Sequence, residues 1–309
     1  MDEIYFTIKP RPPFRLDLTV WALRRLPHNT VDRWDGEKYS RVFAFNGRSV
    51  LVNLSQSGPA DSPVIRCTAR GKRLRAETEL KSRLSSLLKK MFGIDKDLSE
   101  FYRISRRDRN LRSLVEPFIG LKPPRFPSVF EALVNAVACQ QVSLNVGITL
   151  LNRLAEVYGA AFSFRRASFH AFPSPHDLSR PTHEDLRRLG FSHRKGRYIV
   201  DISVAADKKG EDLQRLESIT ESEVVDYLSR IKGVGRWSSE YVLLRGLGHL
   251  NVFPGDDIGA QKNIQQLLNL EEKPDYERLK AIIDRWEPYS GFVYFHLLLG
   301  KLRAKGYIS

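Results

Sequence analysis

Alternating apolar and polar positions in the first ninety residues predict short antiparallel strands. Two of these segments flank the turn Asn46-Gly47-Arg48, which has the composition of a tight β-turn. The predicted strands are Tyr5–Ile8, Tyr39–Phe45, Ser49–Leu54 and Val64–Thr68, and the predicted helices are Leu16–Leu26 and Glu77–Phe92. We therefore expect an N-terminal α+β domain over residues 1–92.

Helical periodicity replaces this alternation in the remainder, so residues 93–309 are predicted to form a mostly helical domain of two subdomains. Ser128 and Glu131 have capping-box spacing and precede a run that is apolar nearly all round, which predicts a central helix. Gln140-Gln141 interrupts it before another helix that runs to about Tyr158, and residues 163–175 are expected to form loops.

Two helices joined by a short glycine loop are predicted between residues 220 and 246. Thr220 and Glu223 have capping-box spacing and begin the first helix. Lys232-Gly233-Val234-Gly235, hereafter the hairpin, breaks the apolar pattern. The second helix is predicted from Arg236 to about Arg245, with Gly246 as its stop.

Such a hairpin can hold an anion, because small residues admit a ligand close to backbone N–H groups at a helix N-terminus. A nucleic-acid phosphate is the natural guest. The predicted contacts are Lys232, Gly233, Val234, Gly235 and Arg236. The alternative is an ordinary helix corner in which the glycines serve geometry alone.

Charge favours a polyanionic partner, since 50 Lys and Arg against 36 Asp and Glu give a net charge of +14. A basic surface without such a partner is the alternative. The two cysteines, Cys67 and Cys139, are too few for a four-cysteine iron–sulfur site or a disulfide framework. With no signal peptide or membrane-spanning run, we expect an intracellular monomer, cytoplasmic and nucleoid-associated or nuclear.

The segments that follow the hairpin carry a family resemblance. Val252-Phe253-Pro254-Gly255-Asp256-Asp257 and a further helix come next, and the strings Ile231–Gly246 and Arg285–Leu298 fit the same family. The chain resembles the helix-hairpin-helix Gly/Pro-Asp superfamily of DNA glycosylases, in particular the 3-methyladenine DNA glycosylase II branch. The resemblance implies a TATA-binding-protein-like N-terminal domain, a helical glycosylase core and double-stranded DNA with damaged bases as partner.

Asp257 occupies the position of the family's catalytic aspartate. A carboxylate there stabilises positive charge on the sugar during glycosidic cleavage and guides the attacking water. The alternative is that Asp257 only caps the helix that follows it. Adjacent carboxylates in a turn cannot point the same way, so Asp256 is expected to be structural or to face solvent.

The extruded base needs an aromatic pocket. Trp237 and Tyr241 lie four residues apart on one helical face and are predicted to form it, unless they are plain core. The resemblance adds Trp21 and Leu298, places the DNA wedge on Gln141 beside Gln140, and assigns a Na⁺ or K⁺ to the backbone carbonyls of Ser229, Ile231 and Val234. Trp286, Tyr289 and Tyr294 are expected to be packing residues, and no cofactor is expected to be required.

Bifunctional members of the superfamily carry a nucleophilic lysine two residues after the second hairpin glycine, where this chain has Trp237. The resulting hypothesis is a monofunctional glycosylase for alkylated bases, with etheno or deaminated purines as further substrates. The alternatives are an oxidised-base glycosylase/lyase and a non-catalytic DNA-binding protein.

Overall fold

The computed structural model describes residues 1–45, 47–72, 74, 77–208 and 213–308. Its strands are β1 (Asp2–Ile8), β2 (Arg33–Trp34), β3 (Lys38–Phe45), β4 (Arg48–Ser57), β5 (Val64–Gly71), β6 (Ala161–Phe164) and β7 (Ala167–His170). The first five form one antiparallel sheet in the order β1-β5-β4-β3-β2. The predicted N-terminal antiparallel domain is confirmed; of the predicted turn, Asn46 lies outside the described residues.

Helices dominate the rest of the chain, as predicted. They are α1 (Leu16–Arg24), α2 (Glu77–Met91), α3 (Ser99–Arg107), α4 (Arg109–Val115), α5 (Val129–Cys139), α6 (Leu144–Tyr158), α7 (Pro175–Leu178), α8 (His183–Arg188), α9 (His193–Lys208), α10 (Glu221–Ser229), α11 (Arg236–Val242), α12 (Ile258–Leu268), α13 (Tyr276–Ile283) and α14 (Ser290–Ala304). No helix among the described residues has both the length and the apolar character needed to cross a bilayer.

Helix α5 lies at the centre of the molecule, as its apolar sequence predicts. Ser128 caps it by accepting the amide of Glu131, and its residues are buried on all sides. Glu131 and Asn135 are exceptions to the apolar pattern. Glu131 is buried because Arg41 of β3 joins it and Asp32, with N–O distances of 2.6 and 2.8 Å. Burial raises the pKa of Glu131 although Arg41 opposes the shift. This group of three ionised side chains links the sheet to the helical core. The predicted domain boundary at residue 92 stays a prediction, and the parts on either side of it share one hydrophobic core.

Two expectations about local structure are wrong. Residues 161–170 form a two-stranded ribbon, β6–β7, rather than a loop, because Phe162 packs with Val42 and Leu51 of the N-terminal sheet. Gly246 does not end the second hairpin helix. That helix continues as a π-helical turn, Leu243–Leu247, and ends at Gly248 with φ 82°. Gly246 is instead required for close packing, since a Cβ there would lie 2.8 Å from Ala132.

Candidate active site

The hairpin joins α10 to α11 in the predicted geometry. Thr220 and Glu223 form the capping box at the start of α10, and Gly235 occupies the N-cap of α11. Gly233 has φ 88°, and a Cβ there would lie 2.2 Å from the ring of Tyr198, so glycine is required on both counts. A Cβ at Gly235 would meet open space, which leaves this amide accessible to a ligand.

Asp257 is the N-cap of α12 and faces a large cleft. Its Oδ1 accepts the amide of Ala260 at 2.8 Å. Its Oδ2 accepts the Tyr294 hydroxyl at 3.0 Å and lies 3.4 Å from the indole nitrogen of Trp237. The capping role and the proposed catalytic role are therefore compatible, because each oxygen has its own donors.

Burial and the neighbouring Asp257 carboxylate raise the pKa of Tyr294 well above its ordinary value. The phenol therefore stays protonated and remains a donor to Asp257 at neutral pH. Sequence reasoning assigned Tyr294 to packing. The ring does pack edge to face on Phe253, but its hydroxyl also contacts the carboxylate of the site, a role that the prediction missed. No local pattern around Tyr294 marks this role; only the folded contact between α14 and α12 reveals it.

A second network holds the turn that carries Asp257. Arg236 pairs with both oxygens of Asp256, at 2.8 and 3.0 Å, and lies 3.6 Å from the Tyr276 ring centroid. Glu240 of α11 accepts the amide of Gly255 at 2.9 Å and the Tyr276 hydroxyl at 2.7 Å. The expectation that Asp256 is structural agrees with this arrangement, which joins α11 to the turn that carries Asp257.

The cleft has a volume of about 1470 Å³ and lies between the hairpin, the α5–α6 junction and α14. It brings together most of the predicted site: Gln140, Gln141, Gly233, Val234, Gly235, Arg236, Trp237, Tyr241, Asp257 and Leu298 all line it. Trp237 and Tyr241 stack with centroids 5.2 Å apart and an interplanar angle of 28°. Tyr241 is only 3% exposed, so Trp237 is the more accessible aromatic face.

Trp21 is placed differently from the prediction. It is nine-tenths buried and stacks on Tyr307 at 6.1 Å, and it is Tyr307 that lines the cleft. Trp21 therefore supports the wall from behind. Among the other aromatics expected to pack, Trp286 is fully buried and donates to Asp108 at 2.9 Å.

The two glutamines of the α5–α6 junction have different environments. The Gln140 amide donates to the Gly233 carbonyl and to the Ser238 hydroxyl, both at 2.8 Å, so it clamps the hairpin to α5, and its contact with DNA stays a prediction. Gln141 is exposed and has φ 52°, a backbone conformation that non-glycine residues rarely adopt. Strained, exposed residues cluster at functional sites, which suits the wedge prediction for Gln141.

Lys232, in the hairpin, and Arg236, directly after it, differ in whether their charge is already paired. Lys232 is exposed, which leaves it available for a phosphate. Arg236 is paired with Asp256, a carboxylate of the same site, and its contact with phosphate stays a prediction.

Two buried arginines behind the aromatic wall escaped sequence reasoning. Arg25 donates to the Tyr241 hydroxyl at 2.7 Å and to Asn135 at 2.6 Å. Arg245 donates to the carbonyls of Ala22 and Leu23. Neither has a carboxylate among its hydrogen-bond partners in the described part of the chain, and Arg25 takes φ 67° at the end of α1. Surface and core arginines look alike in a sequence, so nothing marked these two.

Residues 134–288 match the sequence profile of the HhH-GPD superfamily of base excision DNA repair proteins. The chain belongs to this superfamily. A DNA-3-methyladenine glycosylase of Bacillus subtilis is 28% identical over 206 residues, which cover 67% of this chain and 68% of that protein. The predicted membership of the 3-methyladenine glycosylase branch is confirmed, and with it the DNA N-glycosylase class.

Solved structures agree with this HhH-GPD assignment. The 3-methyladenine DNA glycosylase from Archaeoglobus fulgidus superposes with a TM-score of 0.80 at 28% identity, covering 95% of this chain and 97% of that one. The Schizosaccharomyces pombe 3-methyladenine DNA glycosylase in complex with abasic DNA gives a TM-score of 0.56 at 25% identity, over 64% of this chain and 94% of that one.

Proposed function

We propose that this HhH-GPD protein is a monofunctional DNA glycosylase that flips damaged purines out of double-stranded DNA and hydrolyses their N-glycosidic bond. The proposed substrates are alkylated purines of the 3-methyladenine and 7-methylguanine type, with etheno and deaminated purines as further candidates. The observation that carries the proposal is the Asp257 carboxylate, which faces the cleft beside the hairpin and is held there by Tyr294 and Trp237.

The held carboxylate suits glycosidic cleavage. As the bond to the base breaks, positive charge develops on C1′ and on the ring oxygen of the sugar, and a fixed carboxylate stabilises that charge. The same group can orient and deprotonate the attacking water. Because Ala260, Tyr294 and Trp237 donate to its two oxygens, Asp257 needs little reorganisation in the transition state.

Binding to DNA would use the open side of the hairpin. The Gly235 amide lies at the N-terminus of α11, where a phosphate is stabilised by free N–H groups and by the helix dipole. Lys232 adds an exposed charge, and Gln141, which is also exposed, would fill the space left by the extruded base. Flipping a purine out of the base stack costs a few kcal/mol, and this cost is lower for a damaged base.

The proposed ligands of a monovalent cation are the backbone carbonyls of Ser229, Ile231 and Val234, in and just before the hairpin. The Ile231 carbonyl accepts the Val234 amide at 3.0 Å and retains a second lone pair, and the Ser229 carbonyl lies at the end of α10, where carbonyls lack intrahelical partners. Na⁺ or K⁺ held there would supply positive charge and stiffness beside the phosphate site. Lys232 and the Gly235 amide would still contact the phosphate directly, and the cation would act beside them.

Water is the proposed nucleophile, because tryptophan at position 237 cannot form a Schiff base. Lys195 lines the cleft together with Lys262, Lys301 and Lys305. Its Nζ donates to the Ala138 carbonyl at 3.0 Å, and burial lowers its pKa, which makes it the first amine to test. Borohydride reduction during turnover should trap no protein–DNA adduct. A stoichiometric adduct that disappears in Lys195→Ala would overturn the monofunctional assignment while leaving base excision in place.

The deciding experiment compares two neighbouring carboxylates. Asp257→Asn should abolish release of 7-methylguanine from duplex DNA in single-turnover assays, with affinity for an abasic-site duplex retained. Asp256→Asn is the matched control, because it removes the same charge one residue away and should retain base release. Equal excision by the wild type and Asp257→Asn would refute the catalytic role, and the absence of any excision by the wild type would favour a non-catalytic DNA-binding protein.

A further inference from the structure

Three potential metal ligands meet where two neighbouring helices begin. His183 and Glu184 begin α8, and His193 begins α9. Their ligand atoms all lie within 4.8 Å of one another. The Glu184 Oε1 atom is 3.8 Å from Nε2 of His183 and 4.0 Å from Nε2 of His193. We propose that these three side chains bind one divalent transition-metal ion of the Zn²⁺ class, independently of the glycosylase reaction.

The ligand atoms are arranged to converge. Both histidines present the same ring nitrogen to the same carboxylate oxygen, and their rings meet edge to face with centroids 4.6 Å apart. The other oxygen of Glu184, Oε2, is held by Arg187 at 3.3 Å, which leaves Oε1 directed to the two histidines. One carboxylate oxygen is therefore occupied by Arg187, and the other remains directed to the two histidines, as a shared metal ion would need.

The backbone that carries the ligands is fixed by packing rather than by the ligands themselves. Thr182 and Asp185 form a capping box at the start of α8. Helix α9 approaches α8 so closely that a Cβ at Gly196 would lie 2.9 Å from the His183 carbonyl. The two ligand-bearing helix ends therefore keep their separation without a metal, and binding does not have to order the chain.

Composition and geometry favour zinc-like ions over calcium or magnesium. Two imidazoles and one carboxylate suit Zn²⁺, whereas Ca²⁺ and Mg²⁺ prefer oxygen ligands. Tetrahedral coordination with metal–ligand bonds of about 2.0–2.1 Å needs ligand atoms roughly 3.4 Å apart. The side chains of His183, Glu184 and His193 are 42, 47 and 56% exposed, so small rotations can close the remaining gap.

Opposing charges set the expected affinity. Arg187 lies beside the site, and the positive ends of two helices face it, which disfavours a cation. Three protein ligands leave one coordination position for water. We therefore expect a dissociation constant of about 1–50 μM, weaker than in closed four-ligand structural sites.

The site lies at the rim of the cleft, because Ser192 and Arg194, which flank His193, both line it. A bound ion would connect α8 with α9 and add positive charge there. Its effects should appear as metal binding and increased thermal stability, whatever lesion the enzyme removes.

The test uses the tag-free full-length chain and ZnCl₂ in isothermal titration calorimetry, with thermal unfolding in parallel. The wild type should bind one ion with micromolar affinity, and a few degrees should be added to its Tm. His183→Ala, His193→Ala and Glu184→Gln should each weaken binding at least tenfold. His176→Ala is the matched control, because His176 is an exposed histidine paired with a carboxylate, Asp207, outside the cluster, and it should leave binding unchanged.

Two outcomes would overturn the proposal. One is the absence of stoichiometric binding at 100 μM Zn²⁺, and the other is binding that His183→Ala and His193→Ala do not weaken. Circular dichroism of each variant establishes that these exposed substitutions leave the fold intact. The result does not depend on base excision, so failure here would leave the proposed glycosylase function standing.

Discussion

Removal of the Tyr294 hydroxyl should separate catalysis from DNA binding. The hydroxyl donates to Oδ2 of Asp257 at 3.0 Å, whereas the Trp237 nitrogen donates at 3.4 Å, which is a longer and weaker hydrogen bond. Tyr294→Phe keeps the ring, which packs edge to face on Phe253, and deletes one oxygen atom. Oδ2 then keeps only the long indole contact, while Oδ1 still accepts the Ala260 amide, so the carboxylate is less firmly oriented.

The size of the effect follows from that single bond. A hydrogen bond to a charged group contributes about 1.5–3 kcal/mol. If roughly half of this free energy is expressed as better placement of the carboxylate in the transition state, the barrier rises by about 0.75–1.5 kcal/mol, which is roughly fourfold to thirteenfold in rate. Since the phenol donates to Asp257 and not to the hairpin, DNA affinity should stay within about twofold of the wild type.

Single-turnover release of 7-methylguanine measures the rate, and fluorescence anisotropy with an abasic-site duplex measures affinity. Tyr289→Phe is the matched control: it removes the same atom on the turn before α14, where the ring packs on Phe101, and should leave the rate unchanged. The reasoning is refuted if Tyr294→Phe excises at the wild-type rate, or if affinity and rate fall by the same factor.

Three further predictions concern the hairpin and the core. Gly233→Ala should lower the free energy of unfolding by about 2 kcal/mol or more, because φ is 88° and the new Cβ overlaps a tyrosine ring. Gly235→Ala should leave urea unfolding nearly unchanged and weaken DNA binding. Equal unfolding midpoints for the two variants would contradict this. Lys232→Gln should reduce the slope of log affinity against log salt by about 0.9, and Arg236→Gln should reduce it less because its charge is paired; equal slopes would refute the difference. Burial lowers the pKa of His296 from 6.5 to about 4, so the stabilisation from its neutral form is complete above pH 6.5 and is lost as the pH falls to about 4. His296→Leu should therefore reduce the pH dependence of unfolding free energy in that window by up to about 1.4 kcal/mol per pH unit, and an unchanged dependence would contradict it.

Local sequence signals were sufficient for the elements that form from neighbouring residues. The capping box of Thr220 and Glu223 fixes the start of α10, and the glycine at position 233 is needed where the chain takes a positive φ. Alternation of apolar residues located the strands of the N-terminal sheet to within a few residues. These features depend on contacts within about one turn of chain, which a sequence displays directly.

Contacts between distant segments were not predictable in the same way. Gln140 lies 93 residues before Gly233, and its amide has the same appearance in the sequence as that of Gln141. Which of the two clamps the hairpin is decided by the direction in which α5 ends. The β6–β7 ribbon was missed for a related reason, because its stabilising partners, Val42 and Leu51, belong to a distant part of the chain.

The pair of adjacent aspartates shows how the fold gives similar residues different chemistry. Asp256 is neutralised by two guanidinium nitrogens of Arg236, which itself stacks on Tyr276. The donors to Asp257 within the described residues are neutral, so its negative charge is oriented without being cancelled. A carboxylate that must stabilise a developing cation is most effective in that condition, since a salt bridge would compete with the substrate for it. We therefore expect Arg236, which directly follows the hairpin, to keep the second charge paired and away from the sugar. Arg236→Gln should then slow single-turnover release of 7-methylguanine even where phosphate binding is preserved, and an unchanged rate would contradict this.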